Sequence, residues 1–422
     1  MTTDDLLSRM PAGFRRLAWS NLAAQSAEQV ALAAAPMIAV LALGAGAGET
    51  GMLATMQTLP FLLLSLPAGI LADRMSRRRL MAAAETLRAL ALLSLPVLAA
   101  AGWLSLPLLA LLGFAAATGT VAFSVAAPSL VPALVPRSGL AAANGRLELA
   151  RSAAFAAGPA LAGALVASAG ASPAFLLAAM LSAAAAWLLS GLPEPARPMD
   201  AEPGTHRRRA LLDELRDGAG FAWRHALLRP ILLTAVAWNV SWFLLQAAYV
   251  PYALSVLGLD AAGVGATLSA YGAGMVAGAV VAPKIARRVP FGALIAIGPL
   301  VSVLAAAAMA ASIWVPSGLL AGSAFFLFGA GPILWTIAQT TLRQAVTPAA
   351  LLGRVSALVM TATMGARPLG AALGGLVGAA HGPVACVALA AAGFLVQAAI
   401  ILASPVPRLA ALPAAPAGAA AA

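Results

Sequence analysis

The chain has 422 residues, of which 62% are hydrophobic and 9% are charged, and its formal net charge is +11. Soluble domains carry roughly 25% charged residues, so this composition excludes an ordinary water-soluble protein and indicates an integral membrane protein. The basic residues fall almost entirely in alternate connections between apolar runs, a pattern that indicates membrane topology and argues against a nucleic-acid partner.

The apolar runs predict an all-α membrane protein with twelve transmembrane helices, because a helix satisfies its own backbone polar groups in hydrocarbon. The spans are expected near residues 16–44, 50–72, 79–101, 104–134, 140–169, 173–190, 230–257, 262–285, 291–312, 316–345, 352–379 and 383–404.

Lysine and arginine residues lie at the termini and in the connections that follow even-numbered spans. The connections after odd-numbered spans, such as 44–49, 101–105 and 258–262, contain neither residue. Because positively charged connections stay on the cytoplasmic side of a bilayer, both termini are expected to be cytoplasmic. The expected location is the bacterial inner (plasma) membrane, with multiple passes.

The longest polar interval, 191–229, divides the spans six and six. It predicts an N-terminal six-helix bundle at 1–190 and a C-terminal six-helix bundle at 230–404, followed by a disordered Ala/Pro-rich tail at 405–422. The interval is expected to be a cytoplasmic linker with an amphipathic helix on the membrane surface, or simply a solvated linker. The apolar positions of this helix are Leu211, Leu212, Leu215 and Phe221.

The two halves are related to each other in sequence. A shift of 212 positions places 50–55 over 262–267 and 123–138 over 335–350. Parallel repeats of six spans are a known plan of membrane transporters, with the site at the interface between the repeats. The repeat therefore predicts two pseudo-symmetric bundles around a shared site.

The segment from Gly69 to Arg79, GILADRMSRRR, resembles the loop motif of the major facilitator superfamily and lies between spans two and three, as in that family. Ser76 replaces the usual glycine. The resemblance implies the major facilitator fold and a cytoplasmic gate in which the motif contacts the start of span eleven. An alternative is that the arginines only fix the topology. The gate residues implied are Gly69, Asp73, Arg74, Arg77, Arg78 and, in span eleven, Arg354.

Span five contains Gly158, Pro159 and Gly163, which resemble the G-P-x-x-x-G pattern of antiporters in this superfamily. Proline removes a backbone donor and glycine permits close helix contact, so a kinked packing surface is expected. Together with 128–145 and 342–358, the segment is similar to the drug and siderophore exporters that include the enterobactin exporter and the macrolide efflux proteins. The arginine-bearing span-four motif of many drug–proton antiporters is absent, since 104–134 contains no charge.

Polar groups inside spans are costly and usually serve a transport pathway. In span one, Asn21, Gln25 and Glu28 follow i, i+4 and i+7 spacing and share a helix face. Glu28 is the only carboxylate well inside a span, and we predict that it couples proton movement, or else forms a packing or substrate hydrogen bond. Asn21 and Gln25 are predicted to line the substrate cavity.

Span seven carries an aromatic and hydrogen-bonding stripe suited to a bulky amphipathic ligand, although a tryptophan belt at the membrane interface is the alternative. Arg367, deep in span eleven, requires an acidic partner or an anionic substrate. The predicted cavity residues from these spans and from span ten are Trp238, Asn239, Trp242, Gln246, Tyr249, Trp335, Gln339 and Arg367.

Two Glu–Arg pairs at i, i+3 spacing, Glu85 with Arg88 and Glu148 with Arg151, lie near the cytoplasmic ends of spans three and five. Ion pairing on one helix face is sufficient to explain them, and we predict that they belong to the cytoplasmic gate.

The three histidines occupy loops and no metal-binding or nucleotide-binding motif is present, so neither an enzyme nor a metal site or cofactor is expected. We expect a monomeric secondary transporter in contact with membrane lipid. It would export a drug-like or siderophore-like small molecule by alternating access, with the proton gradient as its energy source. A lysophospholipid or lipid flippase, or a non-transporting sensor, on the same scaffold are the alternatives.

Overall fold

The computed structural model describes residues 11–136, 139–192 and 218–413. Some side chains inside these ranges lie outside the description. They are those at 66, 69–70, 72–74, 125, 127–129, 132–133, 141–142 and 349–350.

The described residues form twelve long helices and no strand. The first ten are α1 Ala12–Leu43, α2 Ala47–Arg74, α3 Arg77–Ala100, α4 Leu106–Leu134, α5 Leu140–Ala169, α6 Ala171–Ser190, α7 Leu228–Ser255, α8 Ala261–Ala286, α9 Phe291–Ala311 and α10 Gly318–Val346. A continuous run, Ala349–Leu402, supplies the last two, because Gly382 interrupts it with φ 77° and ψ 177°, which suits only glycine. We call its two parts α11 (349–381) and α12 (383–402).

The helices have the length and apolarity that a bilayer requires. Ten segments in the described part of the chain are long and apolar enough to cross a membrane, with the bent run counted once. Trp103 and Trp314 are 73% and 78% exposed at one end of the bundle, and Trp187 is 75% exposed at the other. Exposed tryptophans at both ends are typical of the two membrane interfaces.

The two halves use the same helix pairings. In the first half α1 packs on α5, and α2 and α3 pack on α4; in the second half α7 packs on α11, and α8 and α9 pack on α10. The halves meet through α2 against α11 and through α5 against α8, which are equivalent positions in the repeat. The predicted fold of two pseudo-symmetric six-helix bundles is therefore confirmed.

The halves make close contacts on the face away from the termini. Gly51 lies against Gly375, so that a Cβ at Gly51 would overlap the backbone of Gly375. A Cβ at Gly163 would lie 2.9 Å from the Cα of Gly265. Small residues let helices approach this closely where lipid provides no hydrophobic driving force. The bundle is thus closed at this face.

The linker and the tail are described only in part. Residues 193–217 lie outside the described residues, and with them Leu211, Leu212 and Leu215 of the predicted amphipathic helix. A short helix at 218–224 is described, and after it the Nδ1 of His225 accepts hydrogen bonds from the N–H groups of Leu227 and Leu228 at 3.2 and 3.4 Å. Partial burial lowers the pKa of His225.

Disorder was predicted from residue 405 onwards, but the first residues of this tail are ordered. Residues 406–408 form a 3₁₀ turn with Val406 fully buried, and the N–H of Gly292 donates to the carbonyl of Leu409 at 2.8 Å. The apolar side chain of Val406 and these backbone contacts hold the segment against α9. Residues 414–422 lie outside the described residues.

Gly51→Ala is expected to open the closed face. Overpacking costs about 1–3 kcal/mol, and a change of 1.4 kcal/mol lowers the ratio of closed to open molecules about tenfold. The measurement is the labelling rate of a cysteine at Gln246 in a Cys386→Ala background, with impermeant maleimide added on the side of Trp103. The control is Gly145→Ala, where a Cβ meets no atom within 4 Å. Equal labelling rates in the two variants would contradict the assignment of Gly51 to the closed face.

Candidate functional site

A cavity of about 340 Å³ lies between the two halves, and helices of both halves line it. Pockets for drug-sized ligands occupy roughly 300–1,000 Å³, so the size suits one small organic molecule. Four charged residues line it among the described residues: Glu28, Arg88 and Arg151 from the first half and Arg367 from the second.

Glu28 on α1 faces this cavity and is the only carboxylate among its described lining residues. It makes no hydrogen bond and no ion pair with any residue that the structure describes, while Arg88, Arg367 and Arg151 act on its charge through space. Gln29, which is 7% exposed, lies beside it in the lining. The predicted position of Glu28 in a cavity agrees with this placement.

The rest of the predicted α1 face does not reach the cavity. Asn21 is buried and its Nδ2 donates to the carbonyl of Leu147 on α5 at 3.3 Å, so it joins two helices. Gln25 is also absent from the lining. The helix α1 has 32 residues, more than the ~20 that span a bilayer. Asn21 and Gln25 lie nearer to its N-terminal end than Glu28 does, and therefore at a different depth from the cavity.

Glu85 and Arg88 on α3 form a buried ion pair, with Nη1 of Arg88 at 2.9 and 3.1 Å from the two carboxylate oxygens. Arg88 also donates to Thr120 Oγ1 at 2.6 Å and to the carbonyl of Ala24 at 3.2 Å. The pair therefore joins α3 to α4 and α1, and Arg88 forms part of the cavity wall. Its predicted place in the gate rested on the i, i+3 spacing alone, and this spacing does not reveal the interhelical partners of Arg88.

Glu148 and Arg151 on α5 form a second, more exposed ion pair. Nε of Arg151 donates to both carboxylate oxygens at 3.0 and 3.1 Å, and Nη2 approaches one of them at 2.5 Å. The guanidinium also lies 5.4 Å from the centre of the Phe155 ring, at the edge of the cavity. The charge of Arg151 is thus compensated by its own helix.

Arg367 on α11 lies over two aromatic rings. Its guanidinium carbon is 5.4 Å from the ring centre of Phe61 on α2 and 5.3 Å from that of Phe243 on α7, distances at which cation–π attraction operates. Its Nε is buried without a hydrogen-bond partner in the described structure. The cation is therefore held in place by rings and is not paired with a carboxylate there.

Aromatic rings form much of the cavity wall on the second half. Trp238 and Trp242 stack at 5.3 Å with 15° between planes, and Trp242 contacts the Tyr271 ring at 4.9 Å. Asn239 and Gln246 supply amides to the same wall. The polar and aromatic stripe of α7 was predicted to line the cavity. Tyr271 on α8 and Gln29 on α1 were not predicted to line it. Each is a polar group at mid-depth of an apolar span, and this is the sequence signal that could have identified them.

Three predicted cavity residues lie elsewhere. Tyr249 is buried within the second half, where its hydroxyl is 2.5 Å from Thr267 Oγ1. Trp335 packs towards α9 near Gly298, and Nε2 of Gln339 donates to the neighbouring Thr340 Oγ1 at 3.0 Å. Which side of a helix faces the cavity depends on the rotation of the helix about its own axis. The sequence of an almost uniformly apolar helix does not reveal this rotation.

The gate motif is described only in part. The side chains of Asp73 and Arg74, and Gly69, lie outside the described ones, so the contact with Arg354 stays a prediction. Arg78 donates to the carbonyl of Leu192 at 2.9 Å, after the end of α6 in the same half. Arg77 and Arg354 both have interaction partners.

The span-five motif lies at two close helix contacts. Gly158 faces the backbone of Gln29 on α1, and Gly163 faces Gly265 on α8. Pro159, between them, lines the cavity. In the described residues no group of three His, Cys, Asp or Glu side chains could hold a metal ion.

The sequence profile of the Major Facilitator Superfamily matches residues 17–371. No curated protein matches the chain. Among solved structures, a POT family transporter in complex with 5-aminolevulinic acid superposes with a TM-score of 0.75 at 13% identity, over 94% of this chain and 97% of that one. A bacterial homologue of iron transporter ferroportin in the inward-facing state has a TM-score of 0.71 at 17% identity, over 96% and 99%. At these identities the structural likeness shows the fold alone.

Glu85→Gln is expected to destabilise the protein strongly, because it leaves the Arg88 cation buried without its partner. Breaking a buried pair costs about 3–5 kcal/mol, whereas loss of a surface pair costs below about 1 kcal/mol. The matched control is Glu148→Gln, whose pair has side chains 36% and 52% exposed against 3% and 0% for the Arg88–Glu85 pair. The melting temperatures of the two variants are measured in detergent and compared with that of the wild type. Equal shifts would contradict the expected difference in stability between the buried and the exposed ion pair.

Proposed function

Since the chain belongs to the Major Facilitator Superfamily and is a multi-pass membrane transporter, we propose that it exports drug-like or siderophore-like small molecules in exchange for protons. The cavity between the halves is the transport site in this proposal. The structures that superpose on the chain come from transporters of different cargo, including nucleosides and peptides, so they leave the choice of substrate to the lining residues.

The observation that carries the proposal is the placement of Glu28. It is a lone carboxylate on the wall of a membrane-embedded cavity that both halves build, and three arginines act on it. A carboxylate that can hold either a proton or the substrate, but not both at once, couples proton movement to substrate movement. Alternating access then requires only that proton and substrate favour different arrangements of the halves.

The closed face gives the orientation of the cavity in this proposal. Close contacts between the halves at Gly51 and at Gly163 lie on the face away from the termini. With both termini in the cytoplasm, as the arginine distribution favours, this face is the outer one, and the cavity loads from the cytoplasm or the inner leaflet when the halves part at the other end. One chain supplies the whole cavity wall, which supports a monomer as the working unit.

Cysteine labelling tests this orientation. In a Cys386→Ala background, a cysteine in place of Trp314 is expected to react with impermeant maleimide outside intact cells, because it is exposed in the connection after α9. A cysteine in place of Arg287, exposed after α8, is expected to react only after lysis. The reverse pattern would place the termini outside and end the export proposal.

Glu28→Gln is expected to abolish the effect of a pH gradient on flux, since an amide cannot carry the proton. Proteoliposomes with an imposed gradient are assayed with cationic and zwitterionic xanthene dyes and a catecholate siderophore, and loss of at least about tenfold of the driven rate is expected. The control is Asp260→Asn, a change of carboxylate outside the cavity that retains an N-cap of α8. A gradient response that survives in Glu28→Gln would rule out this coupling, and movement of labelled lysophospholipid instead of dyes would favour a flippase.

A further inference from the structure

The charges on the cavity wall divide into a group with contact ion pairs and a group without them. Arg88 is paired with Glu85 and Arg151 with Glu148, and both acids come from the same helix as their partner. Two opposite charges are left without a contact partner, Glu28 and Arg367, and they act on each other only through space. Among the described residues they form no ion pair with each other or with any third group.

These two charges lie on opposite halves, Glu28 on α1 and Arg367 on α11. Charged groups without a contact partner are costly inside a membrane protein, and such an arrangement persists where a ligand or a water-filled cavity solvates them. An anionic ligand would neutralise Arg367 alone, and a cationic ligand Glu28 alone. A ligand with both charges neutralises both.

The wall near these charges selects flat rings. The stacked pair Trp238 and Trp242, with Tyr271 beside it, lines the cavity. The Arg367 guanidinium lies over the rings of Phe61 and Phe243, and cation–π attraction to both restrains it. A held guanidinium binds a carboxylate through two parallel hydrogen bonds, with little further loss of side-chain freedom.

We propose that the cavity binds planar aromatic zwitterions, with the carboxylate of the ligand on Arg367, its cationic nitrogen on Glu28 and its ring system against the aromatic wall that includes the Trp238–Trp242 pair. This inference rests on the proposed use of the cavity as the transport site and names its substrate class. The cationic nitrogen occupies the carboxylate that a proton would otherwise occupy, which is the competition that exchange requires.

Three dyes with one ring skeleton test the charge requirement. Rhodamine 110 carries a carboxylate and a cationic xanthene, rhodamine 123 is its methyl ester and keeps only the cation, and fluorescein lacks the cationic nitrogens. Fluorescence anisotropy measures their equilibrium binding to the full-length protein in detergent at constant pH. The wild type is expected to bind rhodamine 110 about tenfold more tightly than the other two.

Variants assign each charge to its residue. Arg367→Gln is expected to weaken the binding of rhodamine 110 about tenfold and to change the affinity for rhodamine 123 by no more than about threefold. Retained binding of the ester therefore also shows that the variant is folded. Arg367→Lys keeps the cation and is expected to retain the preference for the acid. Glu28→Gln is expected to weaken both rhodamines and not fluorescein. Arg229→Gln, an arginine on Trp223 outside the cavity, is the control and is expected to change nothing.

Three results would overturn the inference: equal binding of acid and ester by the wild type, the same loss for both in Arg367→Gln, or binding of none of the dyes. Tightest binding of fluorescein would assign the site to simple anions and also overturn it. The outcome is separate from the test of coupled export, because binding is measured without a gradient. The protein can prefer rhodamine 110 in the binding assay and show no gradient-driven flux, or show driven flux without this preference. The two experiments distinguish these cases.

Discussion

Hydrocarbon offers no hydrogen-bond partner, and this constraint determines most of the structure. Backbone groups are satisfied within helices, and hydroxyl side chains bond to the preceding turn, as Thr58 does to the carbonyl of Ala54 at 2.8 Å. Charges are costly against lipid, so the described charged groups at mid-depth either line the cavity between the halves, as Glu28 and Arg367 do, or form an ion pair buried among the helices, as Glu85 does. The same constraint that makes the fold helical therefore also gathers the chemistry at one site.

Association between helices must come from close packing, because lipid is as apolar as the side chains that it would replace. The two contacts between the halves meet this requirement with small residues, Gly51 against Gly375 and Gly163 near Gly265. They are related by the internal repeat, since α2 and α8 are equivalent, as are α5 and α11. A symmetric pair of contacts on one face, with a cavity beneath them, is a suitable arrangement for rocking one rigid half against the other.

The spans could be predicted to within a few residues because apolar runs translate directly into membrane helices, and the repeat gave the two bundles. Within the site, Glu28, Arg367 and the α7 stripe were identifiable as polar groups at mid-depth. Helix rotation was not readable: Tyr249 and Trp335 had plausible spacing yet point away from the cavity. The interhelical partners of Arg88 were also hidden, because sequence spacing shows only Glu85.

The two rings around Arg367 belong to different halves: Phe243 shares a rigid body with the arginine, whereas Phe61 comes from across the interface. A rigid movement of one half keeps the first neighbour and removes the second. In the proposed alternating access the guanidinium therefore has less aromatic cover in one arrangement than in the other, and its hydration differs between them. If the proposed acidic group of the substrate binds Arg367, its affinity depends on the position of a phenyl ring that need not contact the substrate.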